Sequence, residues 1–174
     1  MNKITFITGG ARSGKSTQAL TIAMQYKKRG FIATAIPFDN EMKERIKKHK
    51  AERGKNFITI EEPLNLAGAI TLLEKDVDII VIDCVSVWLG NLLFKYGLQK
   101  NDFKEINSFY ERLKKFNGNI IIVSNEVGSG IIPENKSARY YRDLAGLVNQ
   151  TIAGIADEVI FMISGIPTQI KGKK

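Results

Sequence analysis

The sequence predicts an α/β domain with a central, mainly parallel sheet. Two patterns carry the expectation. Short apolar runs rich in β-branched residues alternate along the chain with segments of helical character, the order expected of βαβ units. The most apolar runs, Ile79-Ile80-Val81-Ile82 and Ile120-Ile121-Ile122-Val123, lack polar alternation, as strands covered by helices on both faces do. A length of 174 residues suits one domain of about 100 to 200 residues around a single core.

Taken in order, strands are predicted at 4–8, 31–35, 77–83, 119–124 and 158–164, with 57–61 a shorter sixth. Helices are predicted at 14–28, 40–53, 64–74, 86–95, 102–116 and 137–156. Pro63 suits the first turn of the third helix, where a missing N–H costs nothing, and Asn101 suits the N-cap of the fifth, where its side-chain oxygen meets an orphan amide. No repeat, low-complexity stretch or Pro/Gly/Ser linker divides the chain, so 1–174 reads as one domain. Its end, Lys171-Gly172-Lys173-Lys174, reads as a basic solvated tail.

Composition narrows the function. Hydrophobic residues make up 44% and charged residues 25%, which argues against disorder. No eighteen apolar residues run together, so no membrane-spanning helix is expected. The apolar stretch near the N-terminus is too short for a signal peptide, and a cytoplasmic protein is expected. A lone Cys84 cannot close an intramolecular disulfide, and a lone His49 rules out a Cys/His zinc cluster. The 26 Lys and Arg against 18 Asp and Glu leave a net charge of +8, so polyanions are the first partners to consider: nucleic acid, an acidic membrane surface or phosphorylated small molecules. Residues 40–55 hold seven basic and three acidic side chains, half of that surplus, and enclose the only histidine.

Directly after the first strand comes Gly9-Gly10-Ala11-Arg12-Ser13-Gly14-Lys15-Ser16, which satisfies G-x-x-x-x-G-K-[ST] and runs into a helical segment. Glycines let such a loop wrap with its N–H groups inward, and the helix N-terminus adds partial positive charge, so phosphates are held mainly by backbone. Lys15 is expected to reach the outer phosphates and the Ser16 hydroxyl to ligate Mg²⁺. Asp83, a carboxylate ending the apolar strand, is expected in the same Mg²⁺ shell.

From an Asp39 or Asn40 cap, Met42, Ile46 and His49 fall at i, i+4 and i+7, so His49 continues the inward stripe of a helix. Arg45 and Arg53 lie four residues to either side. An imidazole beside a basic surface that attracts a triphosphate is the setting of a nucleophile, able to carry a nucleotidyl group covalently. On helix geometry alone the plainer reading is a partly buried histidine, or one more polar position on a basic solvated helix.

Together these residues resemble the bifunctional adenosylcobinamide kinase / adenosylcobinamide-phosphate guanylyltransferase family of cobalamin biosynthesis. The resemblance covers nearly the whole chain. It rests on Thr8 with the Gly9-to-Ser16 loop, Phe31-Ile32-Ala33-Thr34-Ala35, Asp39-Asn40-Glu41-Met42 continuing to His49-Lys50, Ser124-Asn125-Glu126-Val127-Gly128-Ser129-Gly130-Ile131-Ile132-Pro133-Glu134-Asn135, Arg142-Asp143-Leu144-Ala145-Gly146, and Ala156-Asp157-Glu158-Val159 closing on Ser164-Gly165-Ile166.

The resemblance implies a three-layer, RecA-like P-loop fold that phosphorylates adenosylcobinamide with ATP or GTP, then transfers GMP from GTP to the product. It implies that His49 is guanylylated, and that Thr34, Ala35, Ile36, Lys50, Ala51, Glu52, Arg53 and Glu61 line the nucleotide with the P-loop and Asp83. It implies a homo-oligomer, a trimer in the family, with the His49 helix near a neighbouring subunit. The chain departs from the family's Arg-Pro and following Trp with Arg53-Gly54 and Phe57; Gly loosens that segment and Phe stacks less broadly.

Glu126, after the strand at 119–124, is a candidate orienter or base for the acceptor, since ligands of open α/β sheets sit at that edge; a carboxylate anchoring its own loop through backbone N–H groups is the equal alternative. Two other functions stay open on the sequence: a P-loop small-molecule kinase without nucleotidyl transfer, and a nucleic-acid-binding P-loop ATPase using the basic residues 43–55. Aromatics are not interleaved with those residues, so a single-strand binder's stacking platforms are missing there.

Overall fold

A computed structural model describes residues 3–98 and 103–172, with Arg45 and Glu52 described in backbone only. Six strands, β1 (Lys3–Gly9), β2 (Arg29–Ala33), β3 (Ile58–Glu61), β4 (Ile79–Asp83), β5 (Asn119–Val123) and β6 (Glu158–Ile163), form a parallel sheet, and β7 (Ile166–Lys171) closes one edge antiparallel to β6. The spatial order is β3-β2-β4-β5-β1-β6-β7. The helices are α1 (Lys15–Ala23), α2 (Asn40–Arg53), α3 (Leu66–Leu73), α4 (Val85–Tyr96), α5 (Lys104–Lys114) and α6 (Lys136–Ile155).

The unbroken apolar strands bury both faces. Ile80, Ile82, Ile120, Ile122 and Phe6 pack with α3, α4, α5 and α6 around Trp88, while Ile79, Val81, Ile121, Val123 and Ile7 face Ala19 and Ala23 of α1. Each such side chain taken fully from water contributes about 1.5–3 kcal/mol before the entropy of ordering it. Trp88 has no exposed surface and donates its indole N–H to Leu64 O at 2.7 Å, so its one polar atom is satisfied inside the core.

Several boundaries differ from expectation, each for a local reason. Helix α1 stops at Ala23 instead of 28: Arg29 Nε takes Tyr26 O at 2.7 Å and Asp78 accepts from Lys28 N at 2.9 Å, turning the chain early into β2. Pro63 lies before α3, whose N-cap is Asn65, accepting from Gly68 N at 3.0 Å; Glu62 Oε1 takes the N–H groups of Leu64 and Asn65. Asn101 lies outside the described residues, and α5 starts at Lys104 behind Phe103.

The supposed basic tail is corrected at its start, because Lys171 ends β7 and its ammonium caps α6, donating to Ala153 O and Gly154 O at 2.8 and 2.9 Å. Residues 173 and 174 lie outside the described residues. The turn that makes β7 possible is Ser164-Gly165, with φ of 51° and 86°, the two positive-φ positions of a type I′ hairpin.

Candidate active site

Parallel register brings the predicted residues to one edge of the sheet. Glu61, Ala33, Asp83 and Val123 form one row across β3, β2, β4 and β5, and Ile7 of β1 continues it. One to three residues beyond that row, β2, β4, β5 and β1 lead into Thr34, Cys84, Ser124 to Glu126, and the loop beginning at Gly9.

That loop is built as its sequence demands. Gly9 has φ 145°, and a Cβ there would lie 2.4 Å from Met162 O, so β6 passes too close for any side chain. Ser13 N donates to Gly10 O at 3.3 Å, and Gly165 N of the hairpin donates to Ser13 O at 3.1 Å. Lys15 is buried, with its ammonium held by Gly10 O at 2.5 Å and Ser13 Oγ at 3.4 Å inside the curl of the loop. Ala11 and Arg12 form the exposed crest, Gly14 caps α1 in the left-handed region, and Ser16 follows Lys15 in its first turn. The hairpin's contact with the loop joins residues far apart in the sequence and was not predicted from it.

Across the edge, α2 is capped by Asp39, which accepts from Met42 N at 2.7 Å, and ended by Gly54, whose φ is 57° and whose N–H goes to Lys50 O. Met42, Ile46 and His49 are half-buried while Lys43, Glu44, Lys47 and Lys48 are exposed, which is the predicted stripe. His49 Nδ1 faces Asp83 Oδ2 at 4.0 Å, with side chains 32% and 12% exposed. That gap exceeds a hydrogen bond yet puts imidazole and carboxylate in one site. Spacing along the chain gave no sign of this pairing.

The remaining predicted residues divide. Lys50 pairs with Glu61 at 2.5 Å across α2 and β3, in an exposed position where an ion pair contributes about 1 kcal/mol or less. Ala51 is exposed beside it, and the Glu52 side chain lies outside the description. Arg53 is buried, its guanidinium 4.0 Å over the Phe31 ring, and Phe57 meets Phe31 edge-on, so this stretch packs α2 onto the sheet. Thr34 is fully buried, its hydroxyl donating to Cys84 O and accepting from Cys84 N, both at 2.9 Å; its neighbours Ala35 and Ile36 are progressively more exposed.

Glu126 N donates to Gly9 O at 2.9 Å, binding its loop to the start of the phosphate loop, and Glu126 Oε1 accepts from Gly128 N at 2.5 Å and from Ser129 Oγ at 3.4 Å. The carboxylate therefore does anchor its own loop. Asn125 and Tyr141 complete the frame: Ser86 Oγ accepts from Asn125 N at 3.3 Å, and Tyr141 donates to Ser86 O at 2.9 Å. Among the described residues no three His, Cys, Asp or Glu side chains gather as a metal site. Ser16 and Asp83 instead offer two hard oxygen ligands, a donor set that suits Mg²⁺ completed by phosphates. A groove between α3 and α5, lined by Ile60, Ala69, Leu72 and Arg112 among others, holds none of these residues.

Fold and edge together define a P-loop nucleotide-binding protein of RecA-like architecture. The family model for cobinamide kinase / cobinamide phosphate guanyltransferase matches residues 5–170, and the chain belongs to that family. The bifunctional adenosylcobalamin biosynthesis protein CobP of Pseudomonas aeruginosa is 39% identical over 96% of this chain and 96% of its own length. CobU of Escherichia coli is 36% identical over 95% and 98%. Solved structures are similar at the level of the fold: an ATPase of a type III secretion system (TM-score 0.60, 12% identity, 94% of this chain and 52% of that one) and the RadB recombinase (TM-score 0.52, 16% identity, 91% and 73%). None of this favours the plain kinase or the nucleic-acid-binding ATPase. Among the described residues no helix is long and apolar enough to cross a membrane.

Proposed function

We propose that this chain carries out both reactions for which its family is named. It phosphorylates the aminopropanol hydroxyl of adenosylcobinamide with ATP or GTP, then moves GMP from GTP to that phosphate through a covalent intermediate on His49. The observation that carries the reading is a single sheet edge holding both a phosphate loop and the chain's one histidine, 4.0 Å from Asp83.

In the first reaction the loop amides and Lys15 hold the β and γ phosphates. The acceptor oxygen attacks the γ phosphorus, the bond to the bridging oxygen of the departing diphosphate breaks, and the hydroxyl proton passes to a carboxylate, for which Glu126 is our candidate. In the second reaction the same cradle stabilises charge growing on pyrophosphate while His49 attacks the α phosphorus and the α–β bridge breaks. The acceptor's phosphate then attacks the same phosphorus, the P–N bond breaks, and His49 is regenerated. Splitting the transfer makes each step easier.

Bound Mg²⁺ supplies charge neutralisation on the phosphates, and the Ser16 hydroxyl and Asp83 carboxylate are the groups that would hold it. Backbone at Thr34, Ala35 and Ile36, with Lys50, Ala51, Glu52, Arg53 and Glu61, would line the nucleoside; the Lys50–Glu61 pair supports this by placing α2 over the end of β3. A cytoplasmic homotrimer belongs to the same reading, and light scattering of the purified chain tests the trimer.

Labelled GTP separates the two reactions. With adenosylcobinamide as acceptor, γ-labelled GTP is expected to label the phosphorylated acceptor and α-labelled GTP the guanylylated one. Product carrying the γ label and never the α label would leave a plain kinase.

A further inference from the structure

The segment from Ser124 to Asn135 spans twelve residues without secondary structure of its own, about the length at which loops of a compact domain are functional or linker segments. It is held at both ends. Glu126 N is bonded to Gly9 O, Val127 packs against the core, and at the far end Arg139 donates to Pro133 O and Glu134 O at 3.0 and 2.5 Å. Between these anchors the loop turns through Gly128-Ser129-Gly130 and presents two adjacent isoleucines, Ile131 at 95% and Ile132 at 65% exposure. Single exposed apolar residues are ordinary. A neighbouring pair on a loop tied down at either side, and bonded through Glu126 N to Gly9 O at the start of the phosphate loop, is a small apolar platform.

We propose that Ile131 and Ile132 form the platform on which the acceptor's corrin macrocycle rests. The inference depends on the function proposed above. Both reactions need the same acceptor arm at the phosphate cradle while a nucleotide fills it, so the bulk of the acceptor must lie next to the cradle and outside it. A corrin ring has a broad apolar face and an amide-bearing rim; Ile131 and Ile132 suit the face, and Asn125 and Ser129 on the same loop suit the rim. The Glu126–Gly9 bond ties the platform's loop to the start of the phosphate loop, so a ring seated there would have its arm held for both steps.

The test is an Ile131→Ser/Ile132→Ser variant beside Ile131→Leu/Ile132→Leu, each assayed for three quantities: KM for adenosylcobinamide, GMP loading from GTP alone, and molar mass by light scattering. GMP loading involves no acceptor and reports that the variant is folded and binds GTP. The serine pair is expected to raise the acceptor KM about tenfold or more, as loss of two apolar contacts should, with loading and mass as in wild type, and the leucine pair to restore KM. An unchanged KM overturns the proposal. So does a changed molar mass, which makes the isoleucines a contact between copies of the chain. Wild-type protein that makes neither labelled product overturns the reading beneath and the platform with it.

Discussion

Asp83 sits between two demands: His49 lies 4.0 Å away, and Asp83 is also our candidate for the Mg²⁺ shell. The chain's own residues suggested each position separately: a carboxylate closing an apolar strand after a phosphate loop, and a histidine on the inward stripe of a helix, whose proposed role came from the family resemblance. Their meeting was not legible, because it depends on how α2 folds over the end of β4, and no local spacing encodes that. Tyr141 was equally silent in the sequence, yet burial, with the Cys84 thiol adding to it, pushes its hydroxyl up to about 12. Unfolded, that group ionises near 10. Between about 10 and 12 the folded state therefore keeps a proton that the unfolded state has lost, and stability falls as pH rises through that window, by at most about 1.4 kcal/mol per unit. Tyr141→Phe is expected to cost about 1 kcal/mol at neutral pH through loss of its bond to Ser86 O, and to fall less steeply in urea midpoint between pH 9 and 11. Equal alkaline losses in both proteins would contradict this account of Tyr141.

At the scale of elements, the phosphate loop and the β6–β7 hairpin form one unit. Gly165 N binds Ser13 O, and Met162 O occupies the space beside Gly9. Gly9→Ala is expected to cost about 1–3 kcal/mol or more, from the disfavoured φ and the close carbonyl together, and to weaken nucleotide binding in parallel. Urea unfolding and GTP titration check the two effects; a variant as stable as wild type would mean that β6 yields easily. The hairpin was not predicted. Its strand β7 is exposed at every position, so Pro167-Thr168-Gln169 carry no apolar period to find, and the strand reading at 158–164 stopped where the turn begins. The buried strands β4 and β5 were plain, because helices on both faces require apolar residues throughout.

For the whole molecule, six parallel strands between two apolar layers place every C-terminal strand end at one edge, which is why residues as far apart as 9 and 126 come to that edge. The alternation of strands and helices made that architecture legible; the order β3-β2-β4-β5-β1-β6-β7 was not, since which strands pair is decided by packing around residues such as Trp88. Trp88→Ala is expected to cost about 3–5 kcal/mol, a large part of the 5–15 kcal/mol typical of a domain, lowering the urea midpoint of the entire cooperative transition. Loss confined to α3 and α4 in hydrogen exchange, with the sheet unaffected, would show that the two core layers unfold separately.

His49 is proposed to carry GMP. Intact mass after incubation with GTP and Mg²⁺, with pyrophosphate removed, tests it most directly when wild type and His49→Ala are run side by side. An acid-labile GMP adduct on wild type and none on the variant is the result expected. An equal adduct on both would place the covalent site elsewhere, and no adduct on wild type that demonstrably binds GTP would leave His49 a structural residue of α2.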